Sequence, residues 1–330
     1  MKKKIRCHFT DFWNGFNYKD RLEVLLSEYE VVPDEKNPDY LFYSCFGMNH
    51  LKYDNCIKIF CSGENLIPDL NLCDYAVSLS DIQSGDRILD FNYAFLWLYR
   101  KPFIPDLTSD QLLNRKFCNF VYSNNYCADP MRERFYNALS KYKRVDAGGA
   151  FLNNMGGRVG DKRSFLKEYK FTIAIENSSL PGYSTEKILD PFLAQSLPIY
   201  WGDPNISSDY NPNSFVNLMD YNSPEEAIEE IIRLDNDDAS YLEKVTTPFW
   251  PYGSSIEEFY ESELERMRAF FRNIFEQPLE KARRRTGYGC VKGYFEDLKK
   301  HYFPSWKGNR TRSVKNFVKK VIRRYNTGIF

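Results

Sequence analysis

The chain has 330 residues, which is more than one hydrophobic core usually organises, so its length predicts two domains of ordinary size. A hydrophobic fraction of 43% and a charged fraction of 27% are typical of a soluble globular protein. Basic and acidic residues number 45 each, so no net charge attracts the chain to nucleic acid.

Cysteine usage and apolar runs argue against two further classes of protein. The eight cysteines include no Cys-x-x-Cys pair, and the three histidines form no companion cluster, which argues against a structural zinc site. No apolar run has the form of a signal peptide or the length of a membrane span. We therefore expect reduced, mostly buried thiols in a cytosolic protein.

Short apolar runs separated by polar turns predict four strands in the first third of the chain: Ile5 to Phe9, Tyr40 to Ser44, Cys56 to Cys61 and Tyr75 to Leu79. A helix is predicted over Arg21 to Ser27. Strands that alternate with helices indicate a parallel sheet covered by helices. The stretch from Lys101 to Arg115 contains two prolines and no sustained period, which suits a crossing between domains.

A second alternation of strands and helices follows this crossing. Strands are predicted over Phe117 to Tyr122, Phe171 to Ile175 and Leu197 to Trp201. Helices are predicted over Asp129 to Tyr142, from near Ser184 or Thr185, and over Pro224 to Leu234. Asp129 is a candidate N-cap of the first of these, with Pro130 as its first helical residue. Two successive α/β domains predict an active site in the cleft between them, at the carboxyl ends of the strands.

The C-terminal segment has a different pattern from the rest of the chain. Basic residues recur from Lys307 to Arg324, and an apolar stripe at helical spacing runs from Val314 to Tyr325. This pattern favours an interfacial helix on anionic lipid; the alternative is a helix packed on the acidic body of the protein. Nucleic-acid binding is a weaker third interpretation, because no known nucleic-acid-recognition motif accompanies these basic residues.

The segment from Phe171 to Lys187 carries the strongest functional signal. An almost wholly apolar strand ends at Ile175, a loop rich in Ser, Pro and Gly follows, and a helix begins. Backbone N–H groups and the positive end of the helix dipole then face the top of the sheet, which predicts an anion site. Lys187 in the first helical turn is unfavourable unless an anion binds there. The simpler alternative is a solvated surface pair of Glu186 and Lys187.

A second cation occupies a comparable position. Arg132 lies in the first turn of the helix predicted after the loop from Ser123 to Ala128, and it faces the same edge of the sheet. Two such cations predict a diphosphate held by Arg132 and Lys187 without a metal ion. The acidic run from Asp235 to Asp238 follows a helix and is interpreted as a solvated turn.

Three runs in the second half of the chain resemble a known family. They are Tyr169-Lys-Phe-Thr-Ile-Ala-Ile-Glu-Asn-Ser, Gly182-Tyr-Ser-Thr-Glu-Lys-Ile and Leu197-Pro-Ile-Tyr-Trp-Gly-Asp-Pro. Together they resemble the signature of the α-1,3-fucosyltransferases, glycosyltransferase family ten, and above all its bacterial members similar to the Helicobacter enzyme. The resemblance is strongest from about Phe117 to Asp220. In the first third of the chain, the clear match to the family is Ser62-Gly-Glu-Asn.

The resemblance implies a fold of the GT-B type, in which two Rossmann-like domains face a central cleft. An acceptor-binding domain over residues 1–112 would precede a GDP-fucose-binding domain over 113–280. A helical segment and the basic amphipathic helix would follow over 281–330. The implied reaction transfers L-fucose from GDP-fucose with inversion at the anomeric carbon and with no obligatory cofactor. Stimulation by Mn²⁺ or Mg²⁺ is left open.

The same resemblance implies roles for individual residues. Arg132 and Lys187 match diphosphate contacts, Glu186 matches the ribose contact, and Glu64 matches the carboxylate proposed as general base. The remaining donor-site matches are Asn124, Asn177 and Tyr183. Inversion by a single displacement needs such a base, and the two cations can stabilise the charge that builds on the departing β-phosphate. Taken alone, Glu64 is interpreted equally well as a surface carboxylate.

Acceptor contacts are expected from Phe12 and Trp13, which lie in the loop after the first strand, since an exposed aromatic ring can stack on a sugar. A core role for either residue is the alternative. Pro191 lies inside the helix that begins near Ser184, where it should kink or shorten that helix. The heptad repeats of some bacterial relatives are absent, which argues against a repeat-driven dimer.

The resulting hypothesis is transfer of fucose to the 3-hydroxyl of GlcNAc within a Galβ1-4GlcNAc unit. The product would be a Lewis x type glycan on a bacterial polysaccharide or lipopolysaccharide. Two alternatives stay open: another nucleotide-sugar donor on the same scaffold, and a glycan-binding protein without turnover. Glucose as the acceptor sugar and a different linkage also stay open. The protein is expected in the cytoplasm, on the inner face of the membrane through its basic tail.

Overall fold

The computed structural model describes residues 2–95, 107–123, 125–250, 255–286 and 289–305. Within these ranges the chain forms two all-parallel β-sheets, one of six strands and one of five. The predicted α/β architecture with two parallel sheets is confirmed. The predicted donor contact Asn124 and the amphipathic pattern from Val314 to Tyr325 lie outside the described residues.

The strands of the first sheet are β1 (Lys3–Thr10), β2 (Tyr29–Pro33), β3 (Tyr40–Tyr43), β4 (Ile57–Cys61), β5 (Tyr75–Ser78) and β6 (Ile88–Asp90). Their order across the sheet is β2-β1-β3-β4-β5-β6. The strands of the second sheet are β7 (Lys116–Phe120), β8 (Val145–Ala147), β9 (Tyr169–Ile175), β10 (Leu197–Trp201) and β11 (Val216–Asn217). Their order is β11-β10-β9-β7-β8.

The described helices of the first part of the chain are α1 (Tyr18–Arg21), α2 (Ser109–Leu113), α3 (Met131–Leu139), α4 (Lys162–Leu166) and α5 (Glu186–Ala194). The later ones are α6 (Ile206–Asp209), α7 (Pro224–Asn236), α8 (Asp238–Thr246), α9 (Ile256–Phe275), α10 (Leu279–Ala282) and α11 (Gly289–Tyr302). Short 3₁₀ turns occur over Asn49–Lys52, Pro212–Ser214 and Leu218–Asp220.

The central strands follow the sequence prediction closely, whereas four strands were not predicted. All seven residues of β9 are buried, as its apolar run indicates for a strand between β7 and β10. The unpredicted strands are β2, β6, β8 and β11, and each of them lies at an edge of its sheet. Edge strands are short and have one neighbour, so they need no long apolar run.

The helix predicted over Arg21 to Ser27 is wrong. Helical structure there is confined to α1, and the chain turns back immediately after it. β2 begins at Tyr29, which pairs with Lys3 of β1. The intervening residues must therefore reverse the chain within a few positions, and the buried Leu25 and Leu26 produce the apolar pattern that imitates a helix.

The starts of two helices in the second domain differ slightly from the prediction. Pro130 occupies the N-cap position of α3, and Asp129 caps the helix from outside by accepting the N–H of Met131 at 2.8 Å. α5 begins at Glu186 after its N-cap Thr185, close to the start predicted near Ser184 or Thr185. α5 continues through Pro191 and ends three residues later at Ala194, with the next residue in a left-handed conformation.

Helix α9 packs on the first sheet although it follows the second sheet in the sequence. Its apolar face, including Leu264, Met267 and Phe271, shares one core with Phe42 and Ile59 of the first sheet. The chain thus crosses back to its N-terminal half after residue 255. The domain limits at residues 112 and 280 stay a prediction, but the packing of this helix associates it with the first sheet.

Candidate active site

The carboxyl ends of β7 and β9 and the start of α5 meet around a cavity of about 370 Å³. Because these strands are parallel neighbours, the loops that leave them open at the same edge of the sheet. Four of the predicted donor contacts line this cavity: Arg132, Asn177, Glu186 and Lys187. The structure therefore brings together residues that are up to 55 positions apart in the chain. We call this space the donor cavity.

Lys187 is paired with two carboxylates. Its Nζ lies 2.9 Å from Oε2 of Glu176 and 3.7 Å from Oε1 of Glu186. Thr185 donates its backbone N–H and its hydroxyl to Oε1 of Glu176, at 2.8 and 2.7 Å. Burial by itself would lower the pKa of Lys187, but the two carboxylates outweigh it and hold that pKa above its ordinary value. Lys187 therefore stays charged, and its buried partner Glu176 is a residue to which the sequence analysis assigned no role.

Arg132 is fixed in orientation by the end of β9. Its side chain is almost fully buried, and Nη2 donates to the carbonyl of Ile175 at 3.1 Å and to Oδ1 of Asn177 at 2.7 Å. The guanidinium carbon lies 4.2 Å from the centroid of the Tyr122 ring, which is a cation–π contact. The Tyr122 hydroxyl accepts the N–H of Ile175 at 2.7 Å. Arg132 is thus preorganised at the donor cavity.

The donor cavity is rich in cations. Arg158 and Lys162 line it in addition to Arg132 and Lys187, and the carboxylate of Glu186 lies among them. Burial by itself would raise the pKa of Glu186, but Lys187 and Lys162 outweigh it and hold that pKa below its ordinary value. Several cations beside one ionised carboxylate suit a diphosphate next to a sugar with free hydroxyls. Arg158 and Lys162 were not predicted.

A Gly-Gly pair completes one wall of the donor cavity. Gly148 and Gly149 follow β8 directly. A Cβ on Gly149 would overlap the backbone of Tyr122, and a Cβ on Gly148 would lie 2.8 Å from Cγ1 of Val159. Only glycine allows this close approach. The Gly-Gly dipeptide itself was visible in the sequence, but the charged residues before it gave no strand signal and β8 was not predicted.

Glu64 lies in the loop after β4, at the carboxyl edge of the first sheet. Its side chain is exposed, and its backbone N–H donates to the hydroxyl of Ser62 at 3.0 Å. The next residue, Asn65, donates its side-chain amide to the hydroxyl of Ser178, the residue after Asn177. This contact joins the loop of Glu64 to the rim of the donor cavity, although the two partners are 113 positions apart.

Tyr183 does not line the donor cavity, although it interacts electrostatically with Lys187 and Glu186. It is 2% exposed and packs in the apolar core of the first sheet. Its loop is anchored there, because the carbonyl of Pro181 accepts the N–H of Asp81 at 3.1 Å. Gly182 has a φ of 83° and runs so close to Leu79 that a side chain would overlap that backbone. A donor contact for Tyr183 stays a prediction.

The two predicted acceptor contacts have different surroundings. Phe12 is half-buried and stacks on Phe16, with 3.8 Å between ring centroids. Trp13 keeps 42% of its surface exposed. The core alternative therefore describes Phe12 better, whereas the exposed face of Trp13 is accessible to a ligand. Acceptor contact by either residue stays a prediction.

Three further features of the described residues bear on the class of protein. No helix in these ranges combines the length and the apolar character needed to cross a bilayer. In the same ranges, no group of three or more His, Cys, Asp or Glu side chains is arranged to hold a metal ion. All eight cysteines are free thiols, as expected, and Cys127 and Cys290 are the exposed ones.

The two facing parallel sheets, with a cation-lined cavity at the edge of the second, define a glycosyltransferase of the GT-B type. Two family models match the chain. The model described as "Alpha-(1,3)-fucosyltransferase FucT N-terminal domain" matches residues 7–99, and "Glycosyltransferase family 10 (fucosyltransferase) C-term" matches residues 113–250. The chain therefore belongs to glycosyltransferase family 10, the fucosyltransferase family.

Individual relatives agree with this assignment. The alpha-(1,3)-fucosyltransferase FucT of Helicobacter pylori is 30% identical over 317 residues, which cover 82% of this chain and 66% of the relative. The human 4-galactosyl-N-acetylglucosaminide 3-alpha-L-fucosyltransferase 9 is 32% identical over 179 residues, 53% of this chain and 48% of the relative. The chain thus spans 66% of the length of the first relative and about half, 48%, of the second.

Solved structures agree as well. A crystal structure of an alpha1,3-fucosyltransferase with GDP has a TM-score of 0.73 and 28% identity, covering 84% of this chain and 91% of that one. A crystal structure with GDP-fucose has a TM-score of 0.70 and 26% identity, covering 84% and 92%. The predicted family and GT-B fold are confirmed.

Proposed function

We propose that this protein transfers L-fucose from GDP-fucose to the 3-hydroxyl of GlcNAc in Galβ1-4GlcNAc-type glycans, with inversion at the anomeric carbon. The observation that carries the proposal is the convergence of Arg132, Lys187 and Glu186 in one cavity. The loop of Glu64 lies beside that cavity through the contact of Asn65 with Ser178. Arg132 and Lys187 suit a diphosphate, and Glu186 suits the ribose hydroxyls. Glu64 suits the role of general base.

The residues support a single displacement. The Glu64 carboxylate is exposed at the cleft, so it can accept the proton of the acceptor 3-hydroxyl as that oxygen bonds to the anomeric carbon. The bond from the anomeric carbon to the β-phosphate oxygen breaks at the same time, and its electron pair leaves with GDP. Lys187, held protonated by Glu176, and Arg132, held by Ile175 and Asn177, stabilise the added charge. No covalent enzyme intermediate and no metal ion are needed.

The names of the relatives support the choice of substrates. Structures of similar alpha1,3-fucosyltransferases contain GDP and GDP-fucose, which supports a guanosine diphosphate donor. The human relative is named for a 4-galactosyl-N-acetylglucosaminide acceptor, which supports a Galβ1-4GlcNAc unit. On a bacterial polysaccharide or lipopolysaccharide, the product would be a Lewis x type structure.

The test is to incubate the purified full chain with GDP-fucose and N-acetyllactosamine and to determine the product linkage by mass spectrometry and NMR. We expect one fucose on O3 of GlcNAc, and equal yield with EDTA present. GDP-mannose and UDP-galactose serve as matched donors and should give no product. Transfer from one of these donors instead, or glycan binding without any transfer, would overturn the proposal in favour of the corresponding alternative.

We propose in addition that the protein acts at the inner face of the membrane. The support is the sequence pattern of the tail, in which basic residues between Lys307 and Arg324 alternate with an apolar stripe. Flotation of the full chain with vesicles of anionic or of zwitterionic lipid tests this. Binding to anionic vesicles alone, reduced by K319E with R323E, is the expected result. Equal flotation of the wild-type chain and this double variant contradicts the proposal.

A further inference from the structure

Two aromatic side chains are exposed side by side at the carboxyl edge of the first sheet. Trp13, after β1, keeps 42% of its surface exposed, and Phe46, after β3, keeps 51%. Their ring centroids are 6.2 Å apart with an interplanar angle of 81°, an edge-to-face pair. We call the two rings the aromatic wall. Large apolar side chains this exposed and in mutual contact indicate a ligand surface more than a core.

Trp13 is supported from behind by half-buried aromatic side chains. Phe16 lies edge-to-face against Trp13, with 5.0 Å between centroids, and is stacked on Phe12 at 3.8 Å. Phe12 in turn packs against the core of the first sheet. One side of the wall is therefore backed by protein, and the side left to solvent faces away from this packing. A rigid aromatic surface of this kind suits the apolar C–H face of a sugar ring.

Asp11 joins the two loops that carry the wall. Its carboxylate accepts the backbone N–H of Asn49 at 2.9 Å and that of His50 at 2.7 Å, and it accepts Nδ1–H of His50 at 2.8 Å. The carbonyl of Asp11 accepts the N–H of Phe46 at 2.9 Å. A Cβ on Gly47 would lie 2.6 Å from Oδ1 of Asp11, so the second loop is closed tightly over this carboxylate.

We call Asp11 with its hydrogen-bond partners Asn49 and His50 the Asp11 clamp. The protonation states of Asp11 and His50 are consistent with these hydrogen bonds. Burial by itself would raise the pKa of Asp11, but the hydrogen bonds from His50 and Asn49 outweigh it and lower that pKa. Burial lowers the pKa of His50, and the attraction of Asp11 offsets only part of this effect. At neutral pH the pair is therefore an ionised Asp11 and a neutral His50 that donates from Nδ1.

The aromatic wall is continuous with the loop of the proposed base. Cys45 precedes Phe46, and its Sγ lies 3.8 Å from the hydroxyl of Ser62. That hydroxyl accepts the backbone N–H of Glu64 at 3.0 Å. The loop that carries Phe46 is therefore in contact with the loop that carries Glu64, and the wall adjoins the loop of the proposed base.

We infer that Trp13 and Phe46 together form the stacking surface for the acceptor glycan, and that Asp11, through His50 and the backbone of the second loop, is the residue that positions them. This inference rests on the proposed function and deepens it. The wall selects a neutral sugar with an apolar ring face adjoining the reacting residue, as the galactose of a Galβ1-4GlcNAc unit has. An acceptor that lacks this second sugar loses the stacking contact.

The first test removes the rings one at a time. W13A and F46A should each raise the acceptor KM for N-acetyllactosamine by roughly five- to tenfold, as expected for one aromatic contact. F46Y, which keeps a ring, should restore the wild-type KM. GDP affinity, measured by calorimetry, should be equal in all variants, because the donor cavity is untouched. With GlcNAc alone as acceptor, the difference between wild type and F46A should shrink below twofold.

Tyr302 on α11 is the matched control, since it is an aromatic residue that is 44% exposed and belongs neither to the donor cavity nor to the aromatic wall. Y302A should leave both Michaelis constants unchanged. An unchanged acceptor KM in W13A and F46A, while the wild-type protein transfers fucose normally, overturns the inference and leaves the proposed function intact. Absence of transfer by the wild-type protein to any acceptor is instead a failure of the proposed function.

The second test separates positioning from folding. H50N places an amide N–H near the position of Nδ1 and should keep the hydrogen bond to Asp11, whereas H50A removes it. We expect H50A and D11N to raise the acceptor KM severalfold with GDP affinity unchanged, and H50N to restore most of the loss. Thermal melting of each variant reports folding independently. Equal acceptor KM values for H50A and H50N at equal melting temperatures would refute the positioning role.

Discussion

Lys187 and Glu176 form a buried ion pair, with 2.9 Å between Nζ and Oε2, where β9 ends and α5 begins. None of the Glu176 side chain and 14% of the Lys187 side chain is exposed. The pair explains how this helix can begin with a lysine, which the helix dipole by itself disfavours. The protein itself supplies two counter-charges, the carboxylates of Glu176 and Glu186, and the Thr185 hydroxyl accepts a further hydrogen bond from Nζ at 3.1 Å, so the charge of Lys187 is compensated within the protein.

Breaking this pair from one side should destabilise the fold. In K187M the Glu176 carboxylate keeps its Thr185 hydrogen bonds but loses its cation, and we expect a loss of about 3–5 kcal/mol in the free energy of unfolding. The double variant K187M with E176Q should recover most of this loss, because no uncompensated charge remains. Urea denaturation of the four proteins of the cycle measures it. A double variant as unstable as K187M would contradict the account.

Activity should separate from stability in the same cycle. The double variant is expected to fold but to bind GDP at least tenfold more weakly than wild type, since the cation that meets the diphosphate is gone. Calorimetry with GDP measures this. Wild-type GDP affinity in the folded double variant would show that Lys187 has a structural role only.

Glu64 should be needed for transfer but not for donor binding. E64Q keeps the size and the backbone hydrogen bond to Ser62, but an amide cannot accept the proton of the acceptor hydroxyl, so kcat should fall by roughly 100-fold or more. GDP affinity by calorimetry should stay unchanged. E280Q is the matched control, because Glu280 is an exposed carboxylate on α10. Transfer by E64Q at the rate of E280Q would exclude Glu64 as the base.

Lys58 should weaken the fold below neutral pH. Its side chain is buried in the first sheet, and among the described residues its Nζ has no hydrogen-bond partner, although it lies 4.6 Å from the centroid of the Phe295 ring. Burial, with the nearby Arg285 cation, lowers the pKa of Lys58 to about 7. The unfolded chain binds this proton up to a pH of about 10.5, so stability rises with pH between these two values.

K58M removes the buried charge and should raise the melting temperature most at pH 6, with a difference that shrinks toward pH 9.5. The gain expected at pH 6 is about 1–4 kcal/mol, the range for replacing buried charged groups by apolar ones. K36M, at an exposed lysine, should change little at either pH. A melting temperature lowered by K58M at pH 6 would mean that the ring of Phe295 stabilises the charge more than burial opposes it.

Asp209 should make stability depend on pH in the opposite direction. It lines a second cavity, of about 440 Å³, together with Asp81 from the loop after β5 and Asp90 at the end of β6. Burial, with the charges of Asp203 and Asp81, raises the pKa of Asp209 to about 7. The folded state therefore keeps this proton between pH 3.8 and about 7 while the unfolded chain has lost it, so stability falls as pH rises through this window.

D209N should raise the melting temperature at pH 8 and flatten its dependence on pH between 5 and 8, because an amide has no charge to bury. Differential scanning calorimetry at the two pH values measures this. D110N, at an exposed aspartate on α2, should leave the slope unchanged. An equal slope in D209N and wild type would mean that water relieves the burial of this carboxylate.

Local sequence patterns are enough to predict the elements whose signal lies in neighbouring residues. The apolar run of β9, the Ser-Pro-Gly loop and the lysine at the start of α5 predicted the anion site, and Arg132 predicted its second cation. These features depend on residues a few positions apart, since helix dipoles and strand burial are readable from neighbouring side chains. The family resemblance also depended on contiguous runs of residues.

The relationships between distant segments become visible only in the folded chain. The four edge strands, the return of α9 to the first sheet and the contact of Asn65 with Ser178 leave no local pattern, because each depends on a partner far along the chain. The same is true of the Asp11 clamp, which joins two loops nearly 40 residues apart through one carboxylate. Hydrogen bonds of this kind satisfy buried groups wherever folding brings a partner, so their positions follow from packing and not from spacing.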